Sequence, residues 1–169
     1  MKTLIKKWLA KRWLNKYGIK NYTINTKGEI DVDGSVDLRD YSLTEFPPFI
    51  QFGVVKGNFY CNGNNLTSLE GSPKEVGGKF DCSFNDLTSL KGAPKKVGED
   101  FDCYDNKLTS LDGAPREIYM GFYCFDNHLT TLKGAPEKVG GYFNCSYNST
   151  KFTEDDIKKV CKVKYSIYV

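Results

Sequence analysis

The sequence predicts a repeat solenoid: a short parallel β-strand in each of a series of 21-residue rungs, closed by non-repeating ends. Three observations predict it. Phe59, Phe80, Phe101, Phe122 and Phe143 recur every 21 residues, in step with Cys61, Cys82, Cys103, Cys124 and Cys145 and with Asn64, Asn85, Asn106, Asn127 and Asn148. Pro73, Pro94, Pro115 and Pro136 recur at the same period and forbid a regular helix on the return half of each rung. Outside the repeats the periodicity changes, to a four-residue spacing at the start and to a helix signal followed by alternation at the end.

The chain divides by this pattern into an N-terminal basic cap helix (1–20), a hairpin with a degenerate first rung (21–56), the repeats (57–148) and a C-terminal cap (149–169), all within one domain of 169 residues. In the first segment Ile5, Leu9, Trp13 and Tyr17 lie four apart with Leu4 and Trp8 beside them, and Gly18 suits a left-handed stop. Two readings of this helix stand. It closes the exposed end of the core, with Trp8 and Trp13 packing on the terminal rung, or it is a basic amphipathic helix for a membrane surface or nucleic acid. Tyr22-Thr23-Ile24 and Glu29 to Asp33 alternate around Asn25-Thr26-Lys27-Gly28 and read as a hairpin or as edge strands. Val36, Leu38, Tyr41, Leu43 and Phe46 form the first rung, and the 23-residue step from Val36 to Phe59 places two extra residues near Pro47-Pro48.

Each full rung reads Phe-x-Cys-x-x-Asn-x-Leu-Thr-Ser/Thr-Leu-x-Gly-Ala/Ser-Pro-x-x-Val/Ile. Its first part matches the leucine-rich-repeat core, with Phe and Cys in place of the first two leucines. The expected fold class is therefore a leucine-rich-repeat solenoid, with a mostly non-helical convex side that is extended or forms a short 3₁₀ turn. Stacked Asn side chains, carrying both donors and an acceptor, satisfy the backbone freed at the bend. At the far end Thr153-Glu154-Asp155-Asp156 resembles a capping box with Asp in the place of Glu or Gln. Ile157, Val160 and Cys161 would form the inner face of a short helix, and residues 164–169 alternate like an edge strand.

The unit Leu-Thr-Ser-Leu-x-Gly-Ala-Pro-Lys-x-Val-Gly-Gly-x-Phe-x-Cys, with the lead-ins Asn21 to Asn25 and Asp31 to Leu38, resembles the short leucine-rich-repeat proteins of tailed bacteriophages and bacteria. More distantly it is similar to the repeats of bacterial secreted effectors, which carry a Leu-Pro pair; here Pro73 follows Leu69 by four residues. The resemblance spans roughly residues 15–150. It implies a viral or bacterial intracellular protein and carries over no catalytic residues.

Composition narrows the function classes. With 40% hydrophobic and 27% charged residues the chain is ordinary for a globular protein. No run approaches the roughly 18–20 apolar residues of a membrane span. Lys6, Lys7, Lys11 and Arg12 interrupt what would be a secretory signal, so the expected location is cytoplasmic, with reduced thiols. The net charge of +3 conceals a split. Residues 1–20 hold seven cations and no acid, whereas residues 21–150 hold 12 basic and 18 acidic residues.

The cysteine column lacks the clustered spacing of a metal site and reads as core, with Cys161 in the C-terminal cap. His128 has no catalytic partner, and no nucleophile constellation or phosphate loop is present, so neither an enzyme nor a cofactor is expected. The informative residues are those a leucine-rich repeat exposes beside the Phe and Cys columns. Tyr60, Asp81, Phe84, Asp100, Asp102, Tyr104, Asp105, Tyr123, Phe125, Asp126, Tyr142 and Tyr147 vary where the core columns repeat. Aromatics beside carboxylates on the concave face predict a non-catalytic module that captures a protein with a basic surface. In the setting implied by the resemblance, that partner is a host or phage factor such as a defence or regulatory protein. The rivals are an adaptor for nucleic acid or a membrane surface acting through residues 1–20, and a virion structural protein. A homodimer through the terminal edges is a further expectation.

Overall fold

The computed structural model describes residues 2–169, so Met1, at the start of the expected cap segment, lies outside the described residues. The chain is a parallel β-solenoid of seven turns among the described residues, with a helix near each end. Helix α1 (Lys2–Lys16) ends at Gly18, whose φ of 66° is the left-handed conformation expected there. Its Ala10, Trp13 and Leu14 are buried, and Trp13 meets Phe52 edge-on with ring centres 6.4 Å apart. Contrary to the reading of the whole stripe as packing, Leu4, Ile5 and Trp8 remain exposed.

Strand β1 (Tyr22–Ile24) pairs antiparallel with β2 (Ile30–Val32), so residues 21–33 form the hairpin. From β2 onward every pairing is parallel. Each rung supplies two short strands, one from the Phe column and one from the Val column. The first are β3 (Val36–Asp37) and β4 (Phe52–Val55), followed by β5 (Phe59–Tyr60) and β6 (Glu75–Val76). Strands β7 (Phe80–Asp81) and β8 (Lys96–Val97) continue the series, then β9 (Phe101–Asp102) and β10 (Glu117–Ile118), then β11 (Phe122–Tyr123), β12 (Lys138–Val139) and β13 (Phe143–Asn144). After α2 (Glu154–Val160) come β14 (Lys162–Val163) and β15 (Ile167–Tyr168). The Phe strands stack as a seven-stranded sheet from β3 to β15, and the Val strands, led by β1 and β2, as an eight-stranded one.

The return half is thus extended and forms a second parallel sheet. Proline accounts for the missing helix, and Val76, Val97, Ile118 and Val139, all buried, account for the strand. The two extra residues of the first rung can be located. Thr67 N–H bonds Thr44 O, a step of 23, whereas Lys74 N–H bonds Gly53 O, a step of 21. The surplus therefore lies between these points, in the stretch holding Pro47 and Pro48.

The core runs the length of the coil. The rings of Phe59, Phe80, Phe101, Phe122 and Phe143 are fully buried, with neighbouring centres 5.1 to 5.7 Å apart. Burying each is worth roughly 1.5–3 kcal/mol, and no rung could do this alone. The asparagine column stitches the rungs together. Asn106 Oδ1 accepts from Leu87 N–H at 2.9 Å, while its Nδ2 donates to Cys82 O and Cys103 O at 3.0 and 3.3 Å. Asn64, Asn85, Asn127 and Asn148 repeat the arrangement. Gly113, at φ 103°, shows why the turn needs glycine, since a Cβ there would lie 2.4 Å from the Leu90 carbonyl carbon of the rung before.

At the C-terminal end the expected capping box forms. Thr153 Oγ1 accepts from Asp156 N–H, and Asp156 Oδ2 accepts from Thr153 N–H. Ile157 and Cys161 are buried, but Val160 is exposed, since the helix turns only one side inward. Strands β14 and β15 extend both ladders, pairing Val163 with Val139 and Ile167 with Phe143. The solenoid therefore continues through the segment read as a cap.

Candidate functional site

The outer face of the Phe sheet is built by register. The side chain between Phe and Cys in each rung points away from the core, and pairing aligns Tyr60, Asp81, Asp102, Tyr123 and Asn144 in one column. Two residues earlier on each rung lies a second column holding Asn58, Lys79, Asp100, Gly121 and Tyr142.

At the centre of this face the polar groups form one network. Lys79 Nζ lies 2.5 Å from Asp102 Oδ2 and 3.7 Å from Asp81 Oδ2. Asp81 Oδ1 accepts from Ser83 Oγ at 2.6 Å and from Ser83 N–H at 3.1 Å. Asp100 Oδ1 accepts from Gly121 N–H at 2.7 Å. Asp102 Oδ1 is buried with no hydrogen-bond partner among the described residues. The expectation that Asp81 and Asp102 stand exposed is corrected here, as they are only 7% and 4% accessible, and Ser83 is buried with them. The cause is steric. Strands about 4.8 Å apart place these short side chains between the larger Tyr60 and Tyr123, and the arm of Lys79 reaches across both.

Burial pushes the Asp102 carboxyl up to about 6, against the pull of Lys79 and with the help of the Asp81 and Asp100 charges. Burial works to lower the Lys79 ammonium, but the hydrogen bond and charge of Asp102, joined by Asp81 and Asp100, outweigh it and leave it raised. The Tyr123 hydroxyl is raised by burial and then by Asp100 and Asp102. Its ring lies over Gly121, where a Cβ would come within 2.4 Å of Tyr123 Cε2. Asp81 and Asp102 thus share one cation, with the Asp100 charge nearby. Among the described residues no group of three or more His, Cys, Asp or Glu side chains is placed to hold a metal ion.

Beside this network runs an aromatic series. Phe84 meets Tyr104 edge-on at 5.2 Å, and Tyr104 stacks on Phe125 at 4.4 Å with planes 7° apart. Phe84 belongs to a column held in the left-handed conformation, with φ of 51° at Phe84, 52° at Asp105, 48° at Asp126 and 53° at Tyr147. Gly63 occupies the same place at φ 67°. The backbone is thereby served by glycine at one rung, by aspartate, which adopts this conformation readily, at two, and by Phe84 and Tyr147 at a cost of roughly 1–2 kcal/mol each. Because it recurs every 21 residues, this conformation belongs to the turn that leaves each strand.

The structure does not gather every expected residue. Asp105, Asp126 and Tyr147 line a separate shallow groove at the strand ends with Asn106, Lys107 and His128. Tyr142 packs toward the C-terminal end, 5.6 Å from Tyr165 and 6.1 Å from Tyr168. Tyr60 takes a hydrogen bond at its hydroxyl from Asn58 Nδ2 and lies under the Arg39 guanidinium at 5.0 Å. Lys79, which the repeat pattern also places on this face, supplies the cation of the network. It is the one cation in the column Asn58, Lys79, Asp100, Gly121 and Tyr142. A larger groove, of about 1280 Å³, lies away from this face along the Gly-Ala/Ser-Pro turns, where the stack of small residues in the sequence marks it.

No protein-family model matches this chain, and neither the curated proteins nor the solved structures searched contain a match to it.

Proposed function

We propose that the protein is a non-catalytic leucine-rich-repeat binding module that captures a basic protein partner on the outer face of its Phe sheet. The observation that carries this reading is the Phe84–Tyr104–Phe125 series, laid across three rungs beside the Asp81–Asp100–Asp102 cluster. Stacked rings offer contact area with little further side-chain entropy to lose, and carboxylates in excess of their one lysine favour an ammonium or guanidinium. The rung pattern also supports the leucine-rich-repeat assignment, through its Asn column and its Leu pairs, with α1 and α2 serving as caps. Its resemblance to phage and bacterial proteins of this kind supports a cytoplasmic setting in which the partner is a host or phage factor, such as a defence or regulatory protein.

The test uses the intact protein as bait in lysate, with bound proteins identified by mass spectrometry. Tyr104→Ala with Phe125→Ala is expected to weaken capture of a basic partner by more than about tenfold, and rising salt is expected to release it. Equal recovery on wild-type and double-variant baits would sink the reading.

A further inference from the structure

Helix α1 presents two apolar sides. At about 100° per residue, Ala10, Trp13 and Leu14 come round together, and these are the side chains buried against the solenoid. Leu4, Ile5 and Trp8 come round on the opposite side and stay 73%, 54% and 57% exposed. A helix that served only to close the end of the core would need the first side alone. The outward side also carries Lys11, Arg12 and Lys16, and the Arg12 guanidinium lies 5.6 Å over the Trp8 ring. None of the ion pairs among the described residues involves α1, and the first 20 residues hold no acid.

We propose that this outward side docks α1 flat on an anionic lipid surface. Leu4, Ile5 and Trp8 enter the boundary between headgroups and acyl chains, while Lys11, Arg12 and Lys16 lift their charges to the phosphates. At 15 residues the helix lies on the surface, since no helix among the described residues is long and apolar enough to cross a membrane. Charge selects the occupant. A second copy would bring like charges together, and nucleic acid would use the cations while giving Leu4 and Ile5 nothing to enter. The acidic stretch from 21 to 150 is repelled by the same lipid, so the chain stands away from the surface on its N-terminal end. The outer face of the Phe sheet is made by other residues, so the two activities are separable.

The test is co-sedimentation of the intact protein with vesicles of phosphatidylcholine alone and of a three-to-one mixture with phosphatidylserine. Wild type is expected to sediment with the mixed vesicles and not with the neutral ones. Leu4→Ser with Ile5→Ser and Trp8→Ser, and separately Lys11→Gln with Arg12→Gln and Lys16→Gln, are each expected to weaken binding by at least about tenfold. These side chains are solvent-exposed, and an unchanged circular dichroism spectrum shows that the fold is kept. Tyr104→Ala with Phe125→Ala is expected to bind vesicles as wild type does, whatever its effect on protein capture. Absence of vesicle binding would overturn the proposal, as would undiminished binding by the serine variant. So would binding to duplex DNA that the serine variant retains in the absence of any vesicle binding.

Discussion

Asp102 concentrates the tension of the outer face in one side chain. Its carboxyl is raised from 3.8 to about 6 because burial disfavours the charge more than Lys79 restores it. A raised folded-state value means that its contribution to stability is full below pH 3.8 and is lost as pH rises through about 6. Asp102→Asn should therefore gain on wild type across this window, by about 2–3 kcal/mol. Urea unfolding at both ends of the window measures it, and a variant that instead loses ground as pH rises would show that the lysine pair dominates. The sequence displayed Asp81 and Asp102 as members of a variable column, and that much was legible. Their burial was not, because the side chains that hem them in come from other rungs, one repeat away along the chain. A pattern read along one strand cannot show what the next strand places beside it.

Among the elements, the asparagine column shows how far local pattern can be trusted. Its role was readable because the same side chain meets the same backbone groups at every rung. The strength of each member depends on position in the stack. Asn106→Ala leaves Leu87 N–H without a partner in a buried site and takes one of two amide donors from Cys82 O and from Cys103 O, which keep Asn85 and Asn127, at a cost of about 2 kcal/mol. Asn148 is only half-buried, so Asn148→Ala should cost roughly 1 kcal/mol. Chemical denaturation of the two variants compares them, and equal losses would count against burial as the cause. Helix α1 shows the opposite case. Ile5, Leu9, Trp13 and Tyr17 suggest one stripe, yet a four-residue spacing drifts by about 40° at each step on a helix of 3.6 residues per turn. Over that distance the stripe winds off the packing side, leaving Ile5 outside while Trp13 stays in.

As a whole the molecule behaves as a stack of nearest neighbours. Removing Gly78–Gly98 would bring Phe59 into register with Phe101 and rejoin identical columns, so the chain should still fold cooperatively. The dependence of its unfolding free energy on urea should fall by roughly one-eighth, in proportion to the residues removed. A shortened chain without a cooperative transition would refute the description. Period, strand positions and both helices were visible in the sequence because each recurs or is capped locally. The second sheet was harder to see, since a two-residue strand such as Lys96–Val97 has no periodicity of its own and exists through its neighbours.

The thiol column gives this stack a property that neither its partners nor its stability describe. Every cysteine is free and buried, and burial pushes Cys61, Cys82, Cys103 and Cys124 well above the usual thiol range and Cys145 to about 11. A closed rung is therefore chemically silent toward alkylating reagents, and an opened one is not. With one thiol in each full rung, the order in which the cysteines become reactive records the order in which the coil comes apart, so that the protein carries its own unzipping map.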